Sequence, residues 1–374
     1  MEGTFYTIRE IAELLKVSIS TIRRSVRSGQ LDVTRIGSQK QIRISESALE
    51  AYLRGSQTNS CIAPSANDED SPSHDTENAP PNPTPGQPGG RIMRIDDRTS
   101  SGVEWSVLNG DVGDALALIP SESINCVVTS PPYYWQRDYE VAGQIGHESS
   151  IAEYVQALIT PFRELRRTLK QDGTFFLNLG DTYYSAKGKP HGKDDKHSGR
   201  QMMRRHLRAV DGPGLGLPRK SLIGIPWRVA IAMQEDGWTL RSTVIWQRPA
   251  TLPEPTAHDR PWRTFEHVFL FSKGPKYWFN REGLLGEEDI WTIVARPENP
   301  GSHFAPYPRE LVDRCLQCGC PPGGVVLDPF VGSGTTMVTA LSRGSPAIGV
   351  ELKPEYSEFA AKRVRQEFGV YPGQ

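Results

Sequence analysis

Thr129-Ser130-Pro131-Pro132-Tyr133-Tyr134 places a hydroxyl, consecutive prolines and a pair of aromatic rings side by side. The run before it, Ile124-Asn125-Cys126-Val127-Val128, is short and apolar and predicts a buried strand. Proline has no amide hydrogen for a ladder, so the strand must stop there and the chain leaves it rigid and open. A turn at a strand's C-terminal end is where open α/β sheets place their ligands. Ser130 offers a hydroxyl, and the Pro131 carbonyl offers an acceptor that no helix consumes. The Tyr133 ring offers a flat surface on which a nucleobase can stack. Together these groups can grip the exocyclic amino group of an extruded base. The same residues would also suit a proline-rich loop with packed tyrosines, and a second motif has to decide between the two.

That motif lies far downstream. Gly324-Val325-Val326-Leu327 predicts a buried strand, and Asp328-Pro329-Phe330-Val331-Gly332-Ser333-Gly334-Thr335-Thr336 predicts a glycine-rich turn into a helix ending near Arg343. Ala347 to Val350 predicts another strand, which ends in Glu351. Strand, Gly-x-Gly turn, helix, strand and acid is the layout of a nucleotide-type site. The glycines let backbone approach the ligand, and an acid about 20 residues on binds ribose hydroxyls. The turn has no lysine for phosphates, which disfavours a P-loop nucleoside triphosphatase.

Elements of two kinds must hold these motifs. Val103 to Leu108, Thr174 to Leu179, Trp238 to Trp246 and Phe265 to Ser272 predict strands. Gly113 to Leu118, Ile151 to Leu169 and Ile223 to Met233 predict helices; the second carries Tyr154, Leu158, Phe162, Leu165 and Leu169 on one stripe. The alternation predicts an α/β fold with a doubly wound, mostly parallel sheet. Asp111, at the end of the first strand, suits a ligand contact and equally a helix N-cap.

The first 55 residues predict a separate module. Thr7 and Glu10 form a capping box, a second helix carries Arg23, Arg24 and Arg27, and the segments Leu31 to Ile36 and Lys40 to Ile44 form a hairpin wing before a helix capped by Ser45. This pattern resembles the MerR/excisionase-like winged helix-turn-helix family, in which the second helix enters the major groove. Nine Lys and Arg against six acids suit DNA; a protein-interaction module is the alternative. Residues 56–90 hold seven prolines and five acids with no Lys, Arg or aromatic residue, which predicts a disordered linker. Residues 91–374 are the second domain. Within it, 185–220 carries ten Lys and Arg against three acids, and Lys187, Arg204 and Arg205 there would contact phosphates, unless the stretch is only a soluble insertion. The proline-rich loops of about 248–300, with Arg260, are candidates for reading sequence.

The chain of 374 residues has 37% hydrophobic residues, a net charge of −1 and five cysteines. Such sparse cysteines do not make a disulfide framework, and no apolar run is long enough to span a membrane, so a cytoplasmic protein is expected. Cys315, Cys318 and Cys320 supply three thiols with no clear fourth ligand, so no metal is expected.

The pairing of TSPPYY with a later DPFVGSGTT resembles the β class of amino-group DNA methyltransferases, over about Val103 to Val370. The resemblance implies a Rossmann-like methyltransferase fold, S-adenosylmethionine as cofactor and double-stranded DNA as partner. A restriction endonuclease partner and a homodimer would both be compatible with it. It implies that Ser130, Pro131, Pro132 and Tyr133 are catalytic. Asp328, Pro329, Phe330, Gly332, Ser333, Gly334 and Thr335 would hold the methionine end of the cofactor, Glu351 its ribose and Asp111 its adenine. His303, Phe304 and Pro306 would wall the site. In the family, Ser at the first position of the tetrapeptide is commoner in cytosine-N4 enzymes and Asp in adenine-N6 enzymes, so cytosine N4 is the expected target and adenine N6 the alternative. A DNA-binding regulator with an inactive methyltransferase-like domain is a reading of another class.

Overall fold

The computed structural model describes residues 5–7, 10–11, 26, 31–36, 41–45, 47–49, 92–186, 209–211, 214–249, 257–284, 288–295 and 307–369. Arg23, Arg24, Arg27, the 56–90 segment, Lys187, Arg204, Arg205, His303, Phe304 and Pro306 lie outside the described residues. The chain divides into two compact units, Met1–Pro80 and Pro81–Gln374.

In the first unit, β2 (Thr34–Ile36) and β3 (Gln41–Ser45) pair antiparallel as the expected wing, and β1 (Phe5–Tyr6) adds to the other side of β3. The capping box forms: Glu10 N donates to Thr7 Oγ1 at 3.2 Å and Thr7 N to Glu10 Oε2 at 2.7 Å. Ser45 Oγ likewise accepts from Ala48 N at 3.2 Å. Ile11, Leu31, Ile44 and Leu49 form its core.

The second unit is built on one sheet. Its strands are β4 (Met93–Arg98), β5 (Glu104–Asn109), β6 (Ile124–Thr129), β7 (Leu169–Leu179), β8 (Thr239–Gln247), β9 (Phe265–Ser272), β10 (Ile290–Thr292), β11 (Val326–Asp328) and β12 (Ala347–Glu351). They lie in the order β10-β8-β9-β7-β6-β11-β12-β5-β4. The run β7-β6-β11-β12-β5 is parallel throughout. Parallel strands need crossovers, and helices supply them on both faces. Helices α1 (Val112–Ala117), α2 (Ile151–Thr168) and α3 (Ile225–Glu235) bury one core with Tyr154, Phe162, Val229 and Phe175. Helices α4 (Arg309–Gly319), α5 (Thr335–Ser342) and α6 (Pro354–Phe368) bury the other with Leu316, Val338, Ala360 and Val326.

Two departures from simple alternation matter. β9 runs antiparallel between β7 and β8, so its first residues lie at the edge where the parallel strands end. β9 and β10 therefore put part of the 248–300 stretch into the sheet itself, where their inward apolar residues complete the cores. At the far edge β4 pairs antiparallel with β5. The turn after β4 meets the end of α6: Ser100 N donates to Phe368 O at 3.1 Å, and Arg365 Nε to Asp97 at 2.8 Å.

Candidate active site

The chain runs outward from β5 through β6 to β7, then returns to place β11 and β12 between β5 and β6. The neighbours β6 and β11 mark the point where strand order reverses, the place where open α/β sheets leave a crevice. TSPPYY ends one strand and DPFVGSGTT ends the other. Thr129 Oγ1 donates to Asp328 Oδ1 at 2.5 Å, joining the motifs directly.

Asp328 is 2% exposed. Its carboxylate also accepts from Thr336 Oγ1 at 2.6 Å, Tyr307 OH at 2.9 Å and Phe330 N at 3.1 Å. Burial raises its pKa, against the pull of those donors. Asp328, expected among the cofactor contacts, thus stands behind the cleft wall with its oxygens already engaged. Gly334 also sits behind it, where an added Cβ would lie 3.2 Å from Ala360 Cβ of α6.

In front is a cleft of about 360 Å³, lined by Ser130, Pro131, Pro132 and Tyr133 from one motif and by Pro329, Phe330, Gly332, Ser333, Thr335 and Glu351 from the other. The turn around it needs glycine: Gly332 has φ 48° and Gly334 φ 80°, both left-handed. Glu351 closes the turn, accepting from Gly332 N at Oε2 and Lys353 N at Oε1, each at 3.0 Å. Burial pushes the Glu351 carboxyl up to about 7, against those two backbone donors. Arg363 braces the turn from behind, donating to Ser333 O at 3.0 Å and Thr335 Oγ1 at 3.2 Å. Asp111 caps α1, accepting from Gly113 N at 2.8 Å, and also lines the cleft.

On the TSPPYY side, Pro132 O accepts from Tyr154 OH at 2.8 Å, while the Pro131 carbonyl accepts no hydrogen bond among the described residues. Tyr134 is core, its ring 5.0 Å from that of Tyr154. Tyr133 instead lines the cleft and packs on the backbone of Gly180, where an added Cβ would lie 2.7 Å from Tyr133 Cε2. Its hydroxyl donates to Glu266 Oε2 at 2.6 Å and receives from Ser130 Oγ at 3.2 Å. Burial, then the charge of Glu266, hold the Tyr133 phenol well above its ordinary range. The loop after Tyr134 makes a further wall with Tyr139, Gln144 and Ile145. Trp135 N donates to Gly146 O at 2.7 Å, and Lys353 Nζ to Tyr139 O at 3.3 Å, which ties this wall to the start of α6.

Sequence reasoning missed Asn178, Arg248, Glu266 and Tyr139, which line the cleft together with Tyr307. Glu266 carried a signal, a lone acid inside an apolar strand; the others carried none. Arg260 does not line the cleft. Its guanidinium lies 3.8 Å from the Tyr183 ring centroid, beside Arg263. Among the described residues no cluster of His, Cys, Asp and Glu could hold a metal. Cys126, Cys315 and Cys318 are buried thiols, and burial pushes Cys318 up to about 12. Among those residues, too, no helix is long and apolar enough to cross a membrane.

A family profile described as DNA methylase matches residues 124–363, spanning both motifs and every cleft strand between them. The chain belongs to the N6/N4 DNA methylase family. It is a DNA methyltransferase of the N4/N6 class, and S-adenosylmethionine is its cofactor. A helix-turn-helix domain profile matches residues 5–57 of the same methyltransferase. It is 44% identical to the type II methyltransferase M.SmaI of Serratia marcescens over 69% of this chain and 90% of that one. It is 41% identical to the type II methyltransferase M.Cfr9I of Citrobacter freundii over 70% of this chain and 88% of that one. In fold it is similar to PvuII DNA methyltransferase (cytosine-N4-specific), with TM-score 0.54 and 24% identity over 72% of this chain and 90% of that one. The cleft suits the cofactor: a carboxylate for a ribose diol, glycines that admit backbone approach, and hydroxyls of Ser333 and Thr335 beside them.

Proposed function

We propose that the chain methylates the exocyclic N4 of cytosine at one sequence in duplex DNA, acting on a base flipped into the cleft. One observation carries this reading. The Ser130 hydroxyl and the Pro131 carbonyl, which has no hydrogen-bond partner among the described residues, open on the same cleft as the glycine turn and Glu351.

An aromatic amino nitrogen is a poor nucleophile, because its lone pair is delocalised into the ring. Ser130 Oγ and Pro131 O would each accept one of its hydrogens. Two acceptors so placed favour the tetrahedral nitrogen that attack requires, a positional and electrostatic effect built into the rigid Pro-Pro turn. Tyr133 would stack on the base, with Gly180 giving the ring its room. Glu351 would take the ribose hydroxyls, and Phe330, Ser333 and Thr335 would hold the methionine end, while Asp328 acts through Thr129 and Thr336 to fix the two loops. When bound, S-adenosylmethionine supplies an electrophilic methyl group on sulfur. No covalent intermediate with the protein is needed, and Cys126, inside β6 and 0% exposed, is not placed to form one.

Ser130 in place of an acid supports cytosine over adenine. The helix-turn-helix unit supports duplex DNA as substrate and with it a cytoplasmic setting, and the likeness to type II methyltransferases supports a restriction enzyme of the same specificity as partner. Methylation-aware sequencing of DNA from a host expressing the chain tests the reading, with a Ser130→Ala, Tyr133→Ala control. The expected result is one motif carrying N4-methylcytosine in the wild type alone. N6-methyladenine would overturn the choice of base, and no modified motif would overturn the reading.

A further inference from the structure

Glu266 takes no part in the chemistry derived above, yet its side chain is only 12% exposed and lies in the wall of the cleft. The antiparallel course of β9 brings it there, and β8 ends beside it with Arg248. Its two oxygens have different partners. Oε1 pairs with Arg248 Nη1 at 2.8 Å. Oε2 accepts from Tyr133 OH at 2.6 Å and from Asn178 Nδ2 at 3.2 Å.

Asn178 Nδ2 also donates to His267 O at 3.2 Å. Two acceptors on one side fix the amide, so its Oδ1 is the atom 3.2 Å from the Tyr133 hydroxyl. The phenol therefore meets acceptors only, a carboxylate and an amide oxygen, on this side. Its one proton goes to them, and its lone pair is left for Ser130 Oγ at 3.2 Å. Ser130 must then spend its own proton on Tyr133. What it presents to the cleft is lone pairs.

Resting on the methyl-transfer reading above, we infer that Glu266 is a positioning residue which, acting through Tyr133, fixes Ser130 as an acceptor for the amino group of the target base. A hydroxyl by itself donates or accepts equally well. A Ser130 that donated into the cleft would aim a proton at the nitrogen lone pair and oppose its attack. The chain Arg248–Glu266–Tyr133–Ser130 removes that option before substrate arrives. Arg248 offsets the buried carboxylate's charge, and the raised phenol keeps the Tyr133 proton in place.

The test is Glu266→Gln. Arg248 would hold the amide oxygen, which turns the amide NH2 toward both Tyr133 and Asn178 Nδ2. Two opposed donors make the Asn178 amide turn over, so its NH2 replaces its Oδ1 beside the phenol. Tyr133, facing donors only on that side, turns its proton to Ser130. Single-turnover transfer of labelled methyl from S-adenosylmethionine to genomic DNA of a methylation-deficient bacterial host is the readout. Cofactor affinity and Tm are followed alongside. The E266Q rate should fall about 100-fold, the cost of one misdirected group at a reacting centre, with cofactor affinity unchanged. Tyr133→Phe, which leaves the Glu266–Arg248 pair in place, should cost less. The double variant E266Q/Y133F should return to the Y133F rate, because the glutamine acts only through the phenol. A purely structural role predicts additive losses instead, and that result overturns the inference. So does an E266Q rate equal to wild type, or a Y133F loss larger than that of E266Q. A wild-type chain that methylates none of this DNA overturns the underlying reading and the inference with it.

Discussion

Thr129 Oγ1 donates to Asp328 Oδ1 at 2.5 Å, a bond between residues 199 positions apart in the chain. It locks the end of β6 to the end of β11, so the acceptor side and the glycine side of the cleft keep a fixed spacing. Thr129→Val keeps the shape and removes the donor, leaving a buried carboxylate oxygen short of a partner. The expected loss is about 1–3 kcal/mol. At about 2–4 °C per kcal/mol, calorimetric unfolding will register it. An unchanged Tm would show that the bond does not hold the motifs together.

Glu351 sets a pH dependence. Its carboxyl stands at about 7 in the folded protein against an ordinary 4.5, so between those values the ligand-free fold binds a proton that the unfolded chain does not. Its contribution to stability is therefore largest at low pH and is lost as pH rises through 7. Ribose hydroxyls donate to the ionised form, so cofactor affinity should rise with pH up to about 7 and then level off. Calorimetry at pH 6 in buffers of different ionisation enthalpy should show proton release on binding. No release, or affinity that falls as pH rises to 7, would contradict the role given to Glu351.

Ser130→Ala removes one acceptor from the target nitrogen and leaves the glycine turn untouched. Methyl transfer should fall about 100-fold or more, with cofactor affinity within twofold of wild type. Equal losses in both would place Ser130 in cofactor binding instead.

Gly180→Ala separates ring placement from backbone strain, since Gly180 is not among the residues with positive φ. The new Cβ would lie 2.7 Å from Tyr133 Cε2 and 3.3 Å from Glu266 Oε1, so the ring must move. The rate should drop by about tenfold to 100-fold while cofactor affinity holds. Wild-type rates would show that the ring has room to spare.

Both loops of the cleft were legible in the sequence because their chemistry is local. Consecutive prolines stop a strand wherever they stand, and Gly332 and Gly334 announce a turn that only glycine makes easily. The strands that carry these loops were legible from their apolar runs. Glu266 and Arg248 were not, since their place depends on β9 lying antiparallel between β7 and β8, a pairing that no short stretch encodes. α4 was missed for another reason. Its cysteines drew attention to metal chemistry, although Leu311, Val312, Cys315 and Leu316 already repeat at helical spacing and are all buried. Asp328 was legible as part of the motif, but its bonds to Thr129 and Tyr307, one layer behind the cleft lining, were not, because they join distant segments of the chain.

The contact between Ser100 and Phe368 sets the end of α6, the last helix of the catalytic unit, against the turn that follows its first strand, β4. A linker able to span β4, roughly 20 Å, would close the unit into a ring. New ends could then be opened at an exposed turn elsewhere, by circular permutation. Opened between α4 and β11, the chain would run from the glycine turn to the Pro-Pro turn, the reverse of its present order. Every strand neighbour, and the Thr129–Asp328 bond, would survive. The order of the two motifs along the chain is thus a property of where the ring is cut, and the cleft they form is indifferent to it.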